Sequence, residues 1–405
     1  MRAPLLLFAI IVVMQAVRTV VVYGNQTIAG IGLLGYLSPL GAAAAFYLLA
    51  REWRNARRWL AIYVTCAAVV AATVALHFFG FGSRLFDSIA LDTVYGLGGR
   101  VKMYCGILRS SEFAAFHAAT AACIALAWIS GARRLKGLIP VGMLTGLLLL
   151  AVVLSGRRKM LAQLGLFLVI FLYLEARSRG RRGRVLAAVT FVGIVGGLIF
   201  MLSAQEGAIG GLEPYLARSG SLVGDSVERF TSMTVGSFAG VVANVGFFGA
   251  GAGIASQGSQ YYGGGRSVIW SNAEGGLGRV LAELGIPGLL LLFLLAWAGS
   301  KALRRVARFA ARSDSRDARL VLGLAAILPS NAAVFVTAHQ LYGDPFVLVV
   351  LGALFGLAAG FPASLALSRC ASPRPLREAD AAVSEAAHTA LAADDVRSAH
   401  FGARR

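Results

Sequence analysis

The sequence predicts an all-α protein, a polytopic transmembrane bundle of about ten helices with one large loop on the outer side. Three observations carry that prediction. Hydrophobic residues fill 58% of the 405 positions and charged residues only 14%, with a mean hydropathy of +0.73. A soluble domain carries roughly 25% charged residues, so a chain this apolar cannot cover its surface in water. Apolar runs long enough to span a bilayer recur along the chain, and a spanning helix needs about 20 such residues. The basic residues sit in short clusters between those runs, as in the cytoplasmic loops of membrane proteins.

Ten segments qualify as spans, at roughly 4–23, 28–50, 59–80, 112–130, 138–154, 160–176, 185–203, 284–300, 320–338 and 346–368. The organisation that follows is residues 1–203 with helices one to seven, a large loop over 204–283, residues 284–368 with helices eight to ten, and a polar, alanine-rich, disordered tail over 369–405. The loop is too long for a plain connector, so it is expected to carry function. Its stretch Val235–Ile254 is apolar but broken by glycines, the pattern of an amphipathic or re-entrant piece.

Orientation follows from Lys and Arg. With the N-terminus in the cytoplasm, the inner segments hold 26 of the 38 basic residues. Translocating arginine is disfavoured, so both termini are expected to be cytoplasmic. The net charge of +19 is spread over these loops, which argues against a nucleic-acid partner. The four cysteines give no disulfide framework, and no metal-ligand spacing occurs.

One cluster opposes this orientation rule. Ser155-Gly156-Arg157-Arg158-Lys159 links two apolar helices and falls on the outer side. Three consecutive cations there need a partner, and an anion is the natural one. The arginine fork matches phosphate oxygens bidentately, and the cluster opens the next helix, whose positive dipole end favours anions. A lipid diphosphate would meet it at the outer leaflet. Two competing readings are generic headgroup contact and a helical hairpin that never crosses. Arg109-Ser110-Ser111-Glu112 leads into the fourth helix; the serines suit a cap, and Arg109 is a further candidate for the anion site.

Glu283-Leu284-Gly285-Ile286-Pro287-Gly288 enters the eighth apolar helix, with Glu274-Gly275 nine positions before Glu283. This stretch resembles the O-antigen ligase and polysaccharide polymerase superfamily of bacterial inner-membrane proteins. Members show a His-Asn pair, a leucine-spaced stretch and then Glu-Leu-Gly-x-x-Gly; here Glu274 and Gly275 occupy the His and Asn positions. Phe247–Ile254 resembles the family's glycine-rich stretch after an arginine, here Arg229, with Gly240 eleven positions on. The 155–159 turn resembles its Ser-x-x-Arg element. The resemblance covers about 155–300.

The resemblance implies a metal- and cofactor-independent glycosyl transfer in the bacterial inner membrane. The substrate would be an undecaprenyl-diphosphate-linked glycan, with membrane lipids, a chain-length regulator and export proteins as partners. Arg157, Arg158, Lys159, Arg229 and Arg279 would grip diphosphate. The acceptor hydroxyl must lose its proton as the new bond forms, and Glu274 or His339, in the outer turn before the last helix, would take it. Glutamate at the histidine position favours a polymerase of O-antigen or exopolysaccharide over a ligase. A transporter or flippase for an anionic lipid-linked solute is the alternative from another class.

Overall fold

The computed structural model describes residues 2–89, 93–96, 99–131, 138–178, 215, 237–256, 259, 262, 275–313, 315–337 and 339–371. They form a helix bundle, in chain order α1 (Arg2–Tyr23), α2 (Gln26–Leu49), α3 (Trp53–Phe78), α4 (Ser83–Ile89), the hairpin β1 (Thr93–Gly96) and β2 (Gly99–Lys102), α5 (Ser111–Gly131) and α6 (Leu138–Leu154). Then come α7 (Arg158–Ser178), α8 (Ser237–Val245), α9 (Gly276–Ala311), α10 (Arg316–Thr337), the short α11 (His339–Tyr342) and α12 (Pro345–Ala371). Eight of these helices are long and apolar enough to cross a membrane, and α6 is a shorter apolar one. The chain is a multi-pass membrane protein. The span expected at 185–203 and most of the 204–283 loop lie outside the described residues, as do positions 372–405 of the expected tail.

The side-chain pattern is that of a bundle dissolved in lipid. The stripe Trp53, Ala56, Leu60, Val64, Ala67, Ala71, Val74 and His77 is buried along α3, while Ile62, Val69 and Leu76 on its other side are exposed. The spacing of three and four residues puts the buried set on one face, and the opposite face stays apolar because its solvent is hydrocarbon. Alanine-rich α5 is buried almost all round and packs on α3, α6 and α10. Small residues let such helices approach closely where apolar side chains alone gain nothing over lipid. A Cβ at Gly323 of α10 would lie 2.4 Å from the Ala127 Cβ of α5.

Short links fix the antiparallel order. Gly24 turns α1 into α2 at φ 67°, and its N–H donates to the Val20 carbonyl at 2.9 Å, a glycine helix stop. Asn25 then caps α2 by accepting from the Ile28 N–H at 3.0 Å. Consecutive spans therefore put their ends into two groups. At one end Arg57 pairs with Asp317 at 3.5 Å, Arg319 donates to the Ser130 carbonyl at 2.7 Å, and Trp53 packs on Phe361. The opposite end carries the α4–hairpin connection, the 155–159 turn and the start of α9.

Two features depart from the sequence reading. A two-stranded antiparallel hairpin stands in the connection before α5. The helix expected to start at 284 starts at Gly276 instead, because Arg279 and Glu283 neutralise each other one turn apart inside it. Gly285, at φ 70° and ψ −171°, then breaks the helix, and Pro287 restarts it. Residues 2–361 form one compact unit, and a second unit begins at Pro362, where the described residues are the last turns of α12.

Candidate functional site

The cationic turn is built from the end of α6. Ser155 Oγ donates to the Val152 carbonyl at 2.6 Å, and Gly156 takes φ 65° to reverse the chain. That conformation costs an L-residue about 1 kcal/mol or more. Met103 lies against Gly156, where an added Cβ would stand 3.1 Å from the Met103 Cε.

From this turn Arg157 reaches the start of α5. Its Nε donates to Ser111 Oγ at 2.9 Å, and its guanidinium meets Glu112 Oε1 at 3.0 Å. Lys159 Nζ meets the same Glu112 oxygen at 2.5 Å. The side chains are 16% exposed for Arg157, 21% for Lys159 and 6% for Glu112, so these charges are only partly hydrated. Ser110 caps α5 by accepting from the Glu112 N–H at 3.2 Å. Arg158 opens α7 half-buried, and Arg109 is exposed just ahead of α5. Arg109, Arg157, Arg158 and Lys159 are thus gathered around the first turns of α5 and α7, with Glu112 among them.

Residues 83–89, 93–96 and 99–110 strap this end of the bundle. Asp87 of α4 accepts from His77 Nε2 of α3 at 3.0 Å and pairs with Lys102 of β2 at 2.7 Å. The Lys102 ammonium, with His77 beside it, holds the Asp87 carboxyl below its usual range. Tyr215 donates to the Lys102 carbonyl, and the Tyr104 N–H donates to Leu154 O at 3.4 Å. Gly106, at φ 58°, lies so close to α3 that a Cβ would meet Thr73 Oγ1 at 2.3 Å. The strap is therefore fixed to the ends of both α3 and α6, and its Met103 forms the underside of the cationic turn.

Arg279 stands apart from that cluster, inside the bundle. Its Nε donates to Glu283 Oε1 at 3.0 Å, its Nη1 donates to the Tyr342 carbonyl at 3.3 Å, and its guanidinium lies 5.8 Å from the Tyr36 ring centroid. Arg279 is 4% exposed and Glu283 0%. Tyr342 extends the network by donating from its hydroxyl to Asn331 Oδ1 at 3.0 Å. Burial pushes the Tyr342 phenol well up, so it stays a neutral donor.

The glycine-rich stretch is irregular backbone packed against the helices of the bundle. After α8, residues 246–256 run against α1, α2 and the break in α9. Ala250 N–H donates to Ala282 O at 2.7 Å, Ala252 N–H to Gln15 O at 3.1 Å, and Ile286 N–H to Phe247 O at 2.9 Å. Gln15 Nε2 donates to Phe248 O at 2.7 Å and Thr19 Oγ1 to Ala252 O at 2.9 Å. Gln15 lies eight residues before the end of α1, about 12 Å down the axis at ~1.5 Å per residue. Irregular backbone at such depth needs partners within the protein, and these bonds supply them. Glycine is required for the approach: a Cβ at Gly253 would lie 2.1 Å from Ile28 O.

Glu274 and Arg229 lie outside the described residues, and His339 is the first residue of α11. The sequence reading did not assign Glu112 or Glu283 a role, yet each is the carboxylate around which its arginine is set. The four-residue spacing from Arg279 to Glu283 was the readable signal for the second pair, while Glu112 showed only as an acidic residue at a helix start. Among the described residues no group of three or more His, Cys, Asp or Glu could hold a metal ion. No protein-family model matches the chain, and no curated protein matches it.

Proposed function

We propose that this protein is a glycosyltransferase of the bacterial inner membrane. It would join lipid-diphosphate-linked glycans at the periplasmic face, as a polymerase of O-antigen or exopolysaccharide type. The single observation that carries the reading is the convergence of Arg157, Arg158 and Lys159 with Arg109 at one end of the bundle, around two helix starts. Both termini are cytoplasmic in this reading, because the clustered Lys and Arg of the other end belong inside.

Chemically, the departing lipid diphosphate gathers negative charge as the glycosidic bond breaks, and fixed cations lower the energy of that charge without a metal. Arg157, Arg158 and Lys159 receive it at the headgroup level. Glu283 holds Arg279 deeper in the bundle. The acceptor hydroxyl attacks the anomeric carbon as the diphosphate leaves, and its proton passes to Glu274 or His339. A ligase passing the glycan to a lipid acceptor would use the same cations.

One observation favours a second reading. A helix broken at Gly285 beside an irregular loop resembles the discontinuous helices that carriers use to hold a solute within the membrane. Such a carrier would move an anionic lipid-linked solute and form no new glycosidic bond.

Alanine at Arg157 and Arg158 together, at wild-type protein level in the membrane, tests the enzyme. Cells relying on that variant are expected to lose surface polysaccharide length and to accumulate short lipid-linked repeats on the outer leaflet. Unchanged polymer overturns the enzyme reading, and repeats retained on the inner leaflet favour the carrier.

A further inference from the structure

We infer that Glu112 determines which anion the 155–159 turn accepts, excluding singly charged phosphodiester headgroups and yielding to a diphosphate. This rests on the reading of the turn as a diphosphate site. The geometry is specific. One oxygen of Glu112 takes both the Arg157 guanidinium at 3.0 Å and the Lys159 ammonium at 2.5 Å. Glu112 is in the first turn of α5, where the helix dipole favours a negative charge. Ser111 beside it accepts from Arg157 Nε, so the guanidinium is already oriented edge-on to an oxygen acceptor. A carboxylate occupies the place of an anionic ligand.

A tethered competitor of this kind is present at an effective concentration on the order of millimolar or above. A phosphodiester headgroup brings a single negative charge, the same as Glu112. It gains no Coulomb advantage by exchange and gives up its own freedom on binding. A diphosphate brings about two charges and more oxygens, enough to engage the arginine fork and the ammonium together. The bilayer offers diester headgroups in large excess over any lipid-linked intermediate. Open cations at the membrane surface would fill with the wrong ligand, and a carboxylate of matched charge is a barrier against that ligand alone.

The test uses the full-length chain in nanodiscs, either of phosphatidylcholine alone or with one-third phosphatidylglycerol, and inorganic pyrophosphate as the calorimetric probe. Phosphatidylglycerol is expected to raise the dissociation constant of Glu112→Gln by at least about threefold more than it raises that of the wild type, as headgroups invade the turn. Glu112→Asp is expected to restore the wild-type ratio. General repulsion of the probe by the anionic surface cancels, because the lipid effect is compared between proteins.

Equal lipid effects in wild type and Glu112→Gln overturn the inference while leaving the diphosphate site standing. So does a Glu112→Gln variant that binds pyrophosphate more weakly by the same factor in both lipids, since that is the mark of a carboxylate that merely braces the turn. Failure of the wild type to bind pyrophosphate in phosphatidylcholine overturns the diphosphate site and the inference with it.

Discussion

Arg279 and Glu283 face each other one turn apart on α9, Nε to Oε1 at 3.0 Å, in an interior where neither is more than 4% exposed. The pair explains why α9 begins seven residues before Glu283: each charge makes the other tolerable inside the bundle. Removing one partner of such a pair is far more damaging than removing both. Glu283→Ala is expected to cost about 3–5 kcal/mol by leaving a buried guanidinium without its carboxylate. The double replacement Arg279→Leu with Glu283→Leu is expected to be much milder. Thermal unfolding in detergent of the two variants and the wild type decides this, and equal losses for the single and double changes would contradict it.

Gly285 has a backbone conformation that only glycine adopts at low cost, and a Cβ there would lie 2.4 Å from Phe247 O. Gly285→Ala is therefore expected to cost at least about 1–3 kcal/mol and to push the 246–256 loop off α9. Amide exchange reads the effect: Ala250, Gly251 and Ile286 should lose protection together, since their N–H groups bond across that junction.

The strap depends on Asp87. Its carboxyl titrates below the ordinary 3.8 when folded, chiefly through the Lys102 ammonium. A depressed folded value means that the ionised carboxylate stabilises the strap fully above the ordinary value. That contribution fades as pH falls through the lowered one. Pepsin cleavage between residues 93 and 106 in nanodiscs is expected to be slow at pH 4.5 and faster at pH 2.5. Asp87→Asn should be cut quickly at both, and a wild-type rate for Asp87→Asn at pH 4.5 would show that the ion pair does not hold the strap.

A glycine ladder joins α12 to α2. Cβ atoms at Gly352, Gly356 and Gly360 would lie 2.2 Å from Pro39 O, 2.3 Å from Ala43 O and 2.6 Å from Ala50 Cβ. Gly356→Leu must separate the two helices, and the variant is expected to melt well below the wild type, with Leu357→Ala as an ordinary core change for comparison.

Much of this architecture is legible in the sequence, because the bilayer demands runs of apolar residues and the runs are there. Nine of the ten expected spans are described helices, among them the short 138–154 and 160–176. The Ser110 cap was equally readable, from Ser-Ser-Glu112. The start of α9 was not, because Arg279 and Glu283 make residues 276–283 look like loop until their four-residue spacing is taken as a self-neutralising pair. The Gly352, Gly356 and Gly360 spacing was visible, but nothing in it names α2 as the partner. Glu112 could be seen only as a helix start, since its contacts with Arg157 and Lys159 join positions 45 and 47 residues apart. Long-range pairing of this kind is set by which helices pack together, and local pattern does not encode it.

A diphosphate site at the outer leaflet requires the cationic turn to face the outside. Single cysteines at Arg109 and Arg158, in a chain otherwise free of cysteine, can be tested with a membrane-impermeant maleimide on cells whose outer membrane has been permeabilised. Labelling of both positions in cells with an intact inner membrane is the predicted result. Labelling only after the inner membrane is broken would put the turn in the cytoplasm, and no diphosphate at the outer leaflet could then reach it.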